Sequence, residues 1–500
     1  MAEIILTDEQ RDIVSLDVPK GKILKVSAFA GTAKTTTLRE FTKAHPDKKF
    51  LYLAYNTSVA QEAKDTFPPN TDCKTTHSLA FRSTGFPYKA KLGNLKPYHL
   101  TDHLNIKEYG VGKYLIDVLV KFLASADSEI NESHLILNRE KDEEEYFAEK
   151  DPKTLKYLIK KANQLWEKMQ DPENKKIPMM HDGYLKLYQL LKPQLDYDYI
   201  LLDEAHDTNP VVLDLFLSQK HAAKVIVGDS HQSIYGFRWA YNALDHVKGD
   251  YHKYLSNSFR FGNEIAGIAN MILQKVKKEP KSIHGVGPKG KIGFIDPNQP
   301  YTIVARTNAA LFNEAAILLI EGKKYGFIGT KDRDNFSPYN PYYFDRILDV
   351  FHLFVDDKTR IKDKYIKRFR NFAHFESVIK DKDAPDLELQ ARAIVVKKWK
   401  DKIPLLIHSI VHNSVNPKDA HILFTTAHKS KGLEFDQVRM THDYEDLIDP
   451  ETKRLNIPGQ DIDDQEINAI YISATRAKKT LQINKSILNL IEYEKMSSLR

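Results

Sequence analysis

Short apolar runs, each followed directly by polar or small residues, recur along the first half of the chain. These runs lie at 23–26, 49–55, 199–202 and 224–227. The stretches between them predict helices, including a capped helix from Thr7 to Ser15 and one through Val59, Ala60 and Ala63. Buried strands alternating with helices are typical of a parallel α/β sheet, which binds ligands at the carboxyl ends of its strands.

A second set of strand-like runs follows at 301–305, 421–425, 469–472 and 481–483. Two stretches without strand signals interrupt the two sets. The first, 91–186, is charge-rich with an acidic run at 142–145, and the second, 331–415, contains closely spaced cations. We predict two α/β domains, each interrupted by a mainly helical insertion. The predicted bounds are 1–90 with 187–255 for the first domain, 91–186 for its insertion, 256–330 with 416–500 for the second domain, and 331–415 for its shorter insertion.

Composition narrows the class of protein. A chain of 500 residues with 42% hydrophobic and 28% charged residues predicts two or more globular domains, and its net charge of +6 suits contact with nucleic acid. The lone Cys73 excludes an intramolecular disulfide and a cysteine-based zinc site, which fits a reducing cytosol. No apolar run approaches the roughly 18 residues of a membrane span, and the first residues lack the basic region of a signal peptide. We expect a cytoplasmic or nucleoid protein, with the nucleus not excluded.

The segment 23–38 has the order of a phosphate-binding loop: an apolar strand, small residues from Ser27 to Ala33, and a helix opened by Lys34. Lys34 would reach the β- and γ-phosphates of a nucleotide, and the Thr35 hydroxyl would hold Mg²⁺. Residues predicted to bind the nucleotide here are Ala30, Gly31, Thr32, Ala33, Lys34, Thr35 and Thr36. An ordinary strand-to-helix turn remains an alternative, because the strict pattern has glycine at positions 28 and 33, where this chain has alanine. We expect helical backbone angles at Ala33, since it immediately precedes the helix.

Two further segments carry candidate chemistry. Asp203 and Glu204 follow an apolar run, and we predict that Asp203 holds Mg²⁺ while Glu204 deprotonates the attacking water. The alternative is a solvated helix start. In the second segment, Gln232 could contact the terminal phosphate, and Tyr235 and Phe237 could offer flat faces to bases. For either ring alone, a core position beside a turn is equally reasonable.

These motifs together resemble a superfamily 1 DNA helicase of the UvrD/Rep/PcrA type, most closely the F-box DNA helicase branch without its F-box region. The segments that carry the resemblance are Thr7–Gln10, Ala28–Thr36, Leu53–Ala63, Thr75–Leu79, Asp203–Asp207, Gly228–Ala240, Leu255–Arg260, Thr426–Phe435 and Ala474–Lys478. His206 stands where the family usually has Gln, and Phe259 stands where it usually has Tyr.

The resemblance implies two RecA-like motor domains that use ATP and Mg²⁺ to move along single-stranded DNA with 3′→5′ polarity. It also implies partners: single-stranded DNA and single/double-strand junctions, no membrane, and a monomer in preference to an oligomer. Position by position, it implies that Gln10 reads adenine, that Glu434 lies near the ribose, and that Arg260 and Arg476 reach the γ-phosphate across a cleft between the domains. The DNA contacts it implies are Tyr55, His77, Tyr235, Phe237, Arg238 and His428.

Three alternatives stay open at this point. An ATP-gated single-strand clamp with weak turnover would follow if Ala33 impairs the loop. A motor directed to RNA would use the same motifs. The cation-rich segment from Lys358 to Arg370, with Tyr365 and Phe369 among the charges, is either a duplex-binding surface or a solvated helix face.

Overall fold

The computed structural model describes residues 5–104, 106, 109–135, 152–236, 242–329, 342–379 and 386–498. Contacts divide the chain into two units, the first comprising 1–28 with 34–255 and the second 29–33 with 256–500. Each unit contains one six-stranded sheet in which every pairing is parallel. This is the predicted α/β class with two RecA-like domains.

The sheet of the first unit has the strand order β3-β2-β4-β5-β1-β6. Its strands are β1 (Ile23–Ala28), β2 (Phe50–Ala54), β3 (Thr71–Thr75), β4 (Tyr199–Leu202), β5 (Ala223–Gly228) and β6 (Tyr251–Leu255). β2, β4 and β5 are buried along their whole length, which is why they stand out in the sequence as continuous apolar runs.

The sheet of the second unit has the order β11-β12-β10-β13-β14-β9. Its strands are β9 (Lys291–Ile292), β10 (Tyr301–Ala305), β11 (Tyr325–Phe327), β12 (Ile422–Thr426), β13 (Phe435–Met440) and β14 (Ala477–Gln482). A separate parallel pair joins β7 (Asn257–Ser258) and β8 (His284–Gly285).

Helices connect and cover the strands. In the first unit they are α1 (Asp8–Val14), α2 (Lys34–Ala44), α3 (Thr57–Thr66), α4 (Thr76–Ala80), α5 (Pro97–Leu104), α6 (Tyr109–Ala124), α7 (Pro152–Gln170), α8 (His181–Leu190), α9 (Pro210–Leu217) and α10 (Ala243–His246). In the second they are α11 (Asn263–Asn270), α12 (Asn308–Ile320), α13 (Arg346–Phe354), α14 (Lys364–Arg368), α15 (Phe372–Ile379), α16 (Leu387–Trp399), α17 (Ile403–His412), α18 (Ala427–Ser430), α19 (Asp464–Ala474) and α20 (Lys485–Ser497).

The helix α1 shows why this sequence starts a helix at Asp8. The Thr7 side chain accepts the N–H of Gln10, and the Gln10 side chain accepts the N–H of Thr7, which completes a capping box. Asp8 and Glu9 add negative charge to the first turn, where the helix dipole favours it. The capped helix predicted from Thr7 to Ser15 is confirmed.

One predicted strand is wrong. The run 469–472 lies inside the helix α19, whose N-cap Asp463 accepts the N–H of Gln465. Every residue of this helix from Glu466 to Ala474 is buried, and an element buried on all sides has no polar face from which a period could be recognised. Seven of the described strands escaped prediction: β3, β6, β7, β8, β9, β11 and β13. The sequences of β3, β6 and β13 carry charged residues, and the other four strands are only two or three residues long.

Both helical insertions pack their apolar residues into clusters that they share with the neighbouring sheet strands. Between β3 and β4, helices α5 to α8 bury a large cluster that includes Leu115, Phe122, Leu165 and Met169. Between β11 and β12, helices α13 to α17 contribute to a second cluster, which includes Phe369 of the cation-rich segment at 5% exposure. The acidic run 142–145 lies outside the described residues. None of the described helices is long and apolar enough to cross a membrane.

Candidate functional site

The carboxyl ends of three adjacent strands of the first unit carry the predicted nucleotide-site residues. In the order β4-β5-β1, Asp203 and Glu204 follow β4, Asp229 follows β5, and β1 leads through the small-residue loop to Lys34, the first residue of α2. Since all three strands run in parallel, these side chains converge at one edge of the sheet.

Asp203 is 3% exposed and accepts three hydrogen bonds. Its Oδ2 accepts the hydroxyls of Thr35 at 2.9 Å and Tyr52 at 2.7 Å, and its Oδ1 accepts the N–H of Glu204 at 2.8 Å. Burial, followed by the negative charge of Glu204, raises the pKa of Asp203, and Lys34 opposes that rise. The two side chains predicted to hold Mg²⁺, Thr35 and Asp203, are therefore in direct contact.

Glu204 has a left-handed backbone with φ 50° and ψ 42°, an uncommon conformation for a residue other than glycine. Its two carboxylate oxygens face different partners. Oε1 lies 3.6 Å from Nζ of Lys34, and Oε2 lies 3.4 Å from Nε2 of His206. Strained backbone of this kind is concentrated at functional sites, which agrees with the predicted catalytic role of Glu204.

Ala33 corrects our expectation of helical backbone angles. Its φ is +58°, in the left-handed region, and Gly31 in the same loop has φ +75°. The loop must reverse direction between β1 and α2 over a few residues, and this reversal requires positive φ just before the helix begins. The family pattern has glycine at position 33 for the same steric reason, since only glycine adopts such angles without a Cβ penalty.

The other loop residues have well-defined partners. Within the segment 29–33, which the contacts group with the second unit, the N–H of Ala30 donates to the hydroxyl of Tyr471 at 3.1 Å. The Thr32 hydroxyl donates to the carbonyl of Phe29 at 2.8 Å. Thr36 lies in the first turn of α2. Their contacts with nucleotide stay predictions.

The two glutamines predicted to contact the nucleotide, Gln10 and Gln232, are both buried. Gln10 uses its side-chain oxygen in the capping box with Thr7 and donates from Nε2 to the Thr37 hydroxyl at 3.0 Å. Gln232 donates from Nε2 to Oδ2 of Asp229 at 2.7 Å. These bonds hold both amides at the carboxyl edge of the sheet, and adenine recognition by Gln10 and phosphate contact by Gln232 stay predictions.

The predicted phosphate-binding arginines belong to the second unit. Nε of Arg260 lies 3.0 Å from a carboxylate oxygen of Glu434, and its Nη1 donates to the carbonyl of Thr475 at 3.1 Å. Arg476 is 1% exposed and donates from Nη1 to the carbonyl of Leu433 at 3.1 Å. The structure thus brings Arg260, Glu434 and the segment before Arg476 together, and it pairs Glu434, predicted to lie near the ribose, with an arginine.

Two of the predicted base-stacking residues face each other in the first unit. The rings of Tyr55, after β2, and Tyr235, after β5, have centroids 6.4 Å apart and planes inclined by only 11°. Tyr55 is 45% exposed, so this pair does not belong to the core. Phe237 and Arg238 lie outside the described residues, and their predicted DNA contacts stay predictions.

The two predicted strand-contacting histidines have different surroundings. Nε2 of His77, on α4, lies 3.7 Å from Oδ1 of Asp182 at the start of α8, and burial lowers the pKa of His77 although Asp182 opposes this. The ring of His181 meets that of His77 edge-on at 6.4 Å. His428 lies on the short helix α18, which Thr426 caps directly after β12.

Comparison with known proteins fits this geometry. Residues 6–248 match the family model of the UvrD/REP helicase N-terminal domain. The chain is similar to the UvrD-like helicases of superfamily 1. The predicted resemblance is thereby confirmed, including its F-box helicase branch.

Two relatives of this UvrD-like chain align along almost all of it. One is F-box DNA helicase 1 of Gallus gallus, 34% identical over 521 residues that cover 98% of this chain and 50% of that protein. The other is F-box DNA helicase protein 1 of Schizosaccharomyces pombe, 30% identical over 534 residues that cover 98% of this chain and 58% of that protein. The chain thus spans about half the length of the curated relatives it matches.

Sequence reasoning missed two residues of this UvrD-like site. Tyr52 lies inside an apolar strand and is fully buried, yet its hydroxyl bonds to Asp203, 151 positions further along the chain. His206 was noticed only as a departure from the family residue, and its ring contacts both Glu204 and the backbone of Asp229. A tyrosine in an otherwise apolar strand was the only available signal for Tyr52, because a buried hydroxyl requires a partner.

The donor atoms suit the cofactors that UvrD-like helicases use. Mg²⁺ prefers oxygen ligands and keeps several waters. One hydroxyl and one carboxylate are therefore enough ligands from the protein when phosphate oxygens of the nucleotide supply further ligands. Thr35 and Asp203 provide those two oxygens 2.9 Å apart. Lys34, in the first turn of α2, adds a positive charge where backbone N–H groups also point outward.

Proposed function

We propose that this chain is an ATP-dependent DNA helicase that moves along single-stranded DNA, with 3′→5′ polarity, and separates strands at single/double-strand junctions. Mg-ATP is the proposed fuel, and the nucleus or the nucleoid is the proposed place of action. Similarity to the UvrD-like helicases supports DNA helicase activity. Polarity follows from the family resemblance alone.

The first unit supplies the chemistry of hydrolysis. Lys34 binds phosphate oxygens, and Glu204 accepts a proton from the water that attacks the γ-phosphorus as the bond to ADP breaks. Thr35 and Asp203 would hold Mg²⁺, which would neutralise phosphate charge. Arg260 and Arg476 of the second unit are proposed phosphate contacts, because a guanidinium stays protonated and binds oxygens in pairs.

The observation that favours a motor over a simple ATPase is the short segment 229–235. At one end, Asp229 binds Gln232 within the nucleotide cluster. Three residues after Gln232, the partly buried ring of Tyr235 lies nearly parallel to the exposed ring of Tyr55. Stacking of a base on an aromatic ring contributes about 1–3 kcal/mol, so this segment joins a phosphate contact to a base contact.

Steady-state ATP hydrolysis with and without single-stranded DNA tests the proposal. Wild-type protein should be stimulated by DNA, and Lys34→Ala should abolish hydrolysis because it removes the cation that compensates phosphate charge. Tyr235→Ala should retain basal hydrolysis and lose much of the stimulation, whereas Tyr235→Phe, which keeps the ring, should be stimulated normally. Turnover of Lys34→Ala close to that of wild type would contradict the nucleotide assignment.

Unwinding of 3′-tailed and 5′-tailed duplexes then tests polarity. Separation of the 3′-tailed substrate alone is the expected result. Competition with RNA oligonucleotides distinguishes DNA from RNA as the track: strong competition by RNA would replace the DNA motor with an RNA-directed one.

One observation favours a second candidate, the ATP-gated clamp. Ala33 has φ +58°, which costs about 1–2 kcal/mol for a residue with a Cβ. A clamp would bind DNA in an ATP-dependent way and turn over slowly even in saturating DNA. DNA-stimulated turnover together with unwinding excludes it.

A further inference from the structure

The imidazole of His206 lies between two groups of the proposed hydrolysis site. The side chain is fully buried. Its Nδ1 accepts the backbone N–H of Asp229 at 3.1 Å, while its Nε2 lies 3.4 Å from Oε2 of Glu204 and 3.9 Å from Oδ2 of Asp207. Because Nδ1 accepts a hydrogen bond, the proton of the neutral ring resides on Nε2, the ring nitrogen nearest these carboxylates.

The strand β5 leaves room for this ring because it ends in glycine. A Cβ at Gly228 would lie 2.9 Å from Nδ1 of His206, closer than side chains approach, and 3.1 Å from the backbone nitrogen of Ala205, which is tighter than most such contacts. The absence of a side chain at this position lets the ring reach the N–H of Asp229.

The carboxylate of Glu204 needs such a contact. Its backbone is left-handed, so no regular helix or strand directs the side chain. Lys34 approaches one carboxylate oxygen and His206 the other, so the carboxylate is held from two sides. Nucleotide phosphates would compete with Glu204 for Lys34, whereas His206 remains anchored to the backbone of Asp229.

We propose that His206 is a positioning residue, which orients the Glu204 carboxylate towards the attacking water and ties it to the segment that carries Gln232. This inference deepens the proposed ATP hydrolysis and rests on it. Asp229 is the shared anchor, because its N–H binds His206 and its carboxylate binds Gln232. The orientation of Glu204 is thereby linked to the position of the proposed phosphate sensor.

Two substitutions separate the nitrogens of the ring. His206→Asn places an acceptor at about the position of Nδ1 and is too short to reach Glu204. His206→Gln carries an acceptor and a donor as far apart as the two ring nitrogens, so it can restore both contacts. We expect His206→Asn to lower kcat roughly ten- to a hundredfold, with KM for ATP and melting temperature close to wild type. His206→Gln should recover most of kcat.

A double mutant shows whether His206 acts through Glu204. In a Glu204→Gln background, His206→Asn should have no further effect on kcat, because the group that it positions is already disabled. Independent effects of the two changes would overturn the inference. So would wild-type turnover by His206→Asn, or a joint fall of melting temperature, KM and kcat in both His206 variants, which marks a purely structural residue.

The experiment also separates this inference from the proposed function. If wild-type protein hydrolyses ATP and His206→Asn does so equally well, only the positioning role is lost. If wild-type protein does not hydrolyse ATP, the proposed function and this inference are overturned together.

Discussion

Replacing Ala33 with glycine is the most direct test of the loop geometry. Ala33 has φ +58°, and a left-handed conformation costs a residue with a Cβ about 1–2 kcal/mol relative to glycine. The exchange also makes the unfolded chain more flexible, which lowers the free energy of unfolding by about 0.5–1 kcal/mol. With the middle of each range, the difference predicts that Ala33→Gly stabilises the fold by about 0.75 kcal/mol. For units of this size, that corresponds to a rise in melting temperature of roughly 1–4 °C.

The matched control is Ala44→Gly, at the other end of the same helix. Ala44 is exposed and lies in the last turn of α2. Glycine there removes no strain and costs up to about 1 kcal/mol of helix propensity. The same chemical exchange should therefore raise the melting temperature at position 33 and lower it at position 44. Calorimetry of the three proteins in one buffer measures both shifts.

Two results would contradict this reasoning. A fall in melting temperature for Ala33→Gly comparable to that of Ala44→Gly would show that position 33 carries no strain. An increase in kcat of more than about tenfold, measured in parallel with saturating DNA, would show that strain at Ala33 limits turnover and would favour the clamp. We expect kcat to change by less than about threefold, because the strain is present with and without nucleotide.

Three further predictions concern separate parts of the chain. Glu204→Gln should still bind nucleotide in a titration with a fluorescent ATP analogue. It should hydrolyse ATP about 10²–10⁴-fold more slowly, because an amide accepts no proton from water. Lost binding would indicate that Glu204 is a ligand of the nucleotide or its metal instead. Burial lowers the pKa of Lys186 to about 8. Between about pH 8 and 10.5 the unfolded state therefore binds more protons than the folded state, and the free energy of unfolding should rise with pH. Denaturant titrations of Lys186→Met should show a smaller rise over the same range. Changing the exposed Lys364, Lys367 and Arg368 together to Gln should lower the salt dependence of DNA binding by up to about 2 in log–log slope if they contact phosphates, and an unchanged slope would mark a solvated face.

Local pattern was sufficient for the parts of this protein that depend on neighbours in the chain. The capping box of Thr7 and Gln10 spans three residues, and both partners could be recognised from their spacing. The small-residue loop before Lys34 and the acids after β4 could likewise be predicted, because a strand end and a helix start have characteristic local sequences. The class of fold followed from the same alternation of elements.

Tertiary structure alone decided the features that depend on distant residues. The run 469–472 was wrongly predicted as a strand, since a fully buried helix has no polar face and its period is hidden. The left-handed backbone of Ala33 is imposed by the reversal of the chain between β1 and α2. Its position directly before the helix therefore led to the wrong prediction of helical backbone angles.

The contacts of the carboxylates predicted to act in hydrolysis are the clearest case. Tyr52 meets Asp203 across 151 positions, and His206 meets the N–H of Asp229 across 23. Both contacts depend on which strands are neighbours and on how far along each strand the chain turns away. Strand order and register are properties of the assembled sheet, and no single segment encodes them, because each pairing is stabilised by burial that only the complete fold provides.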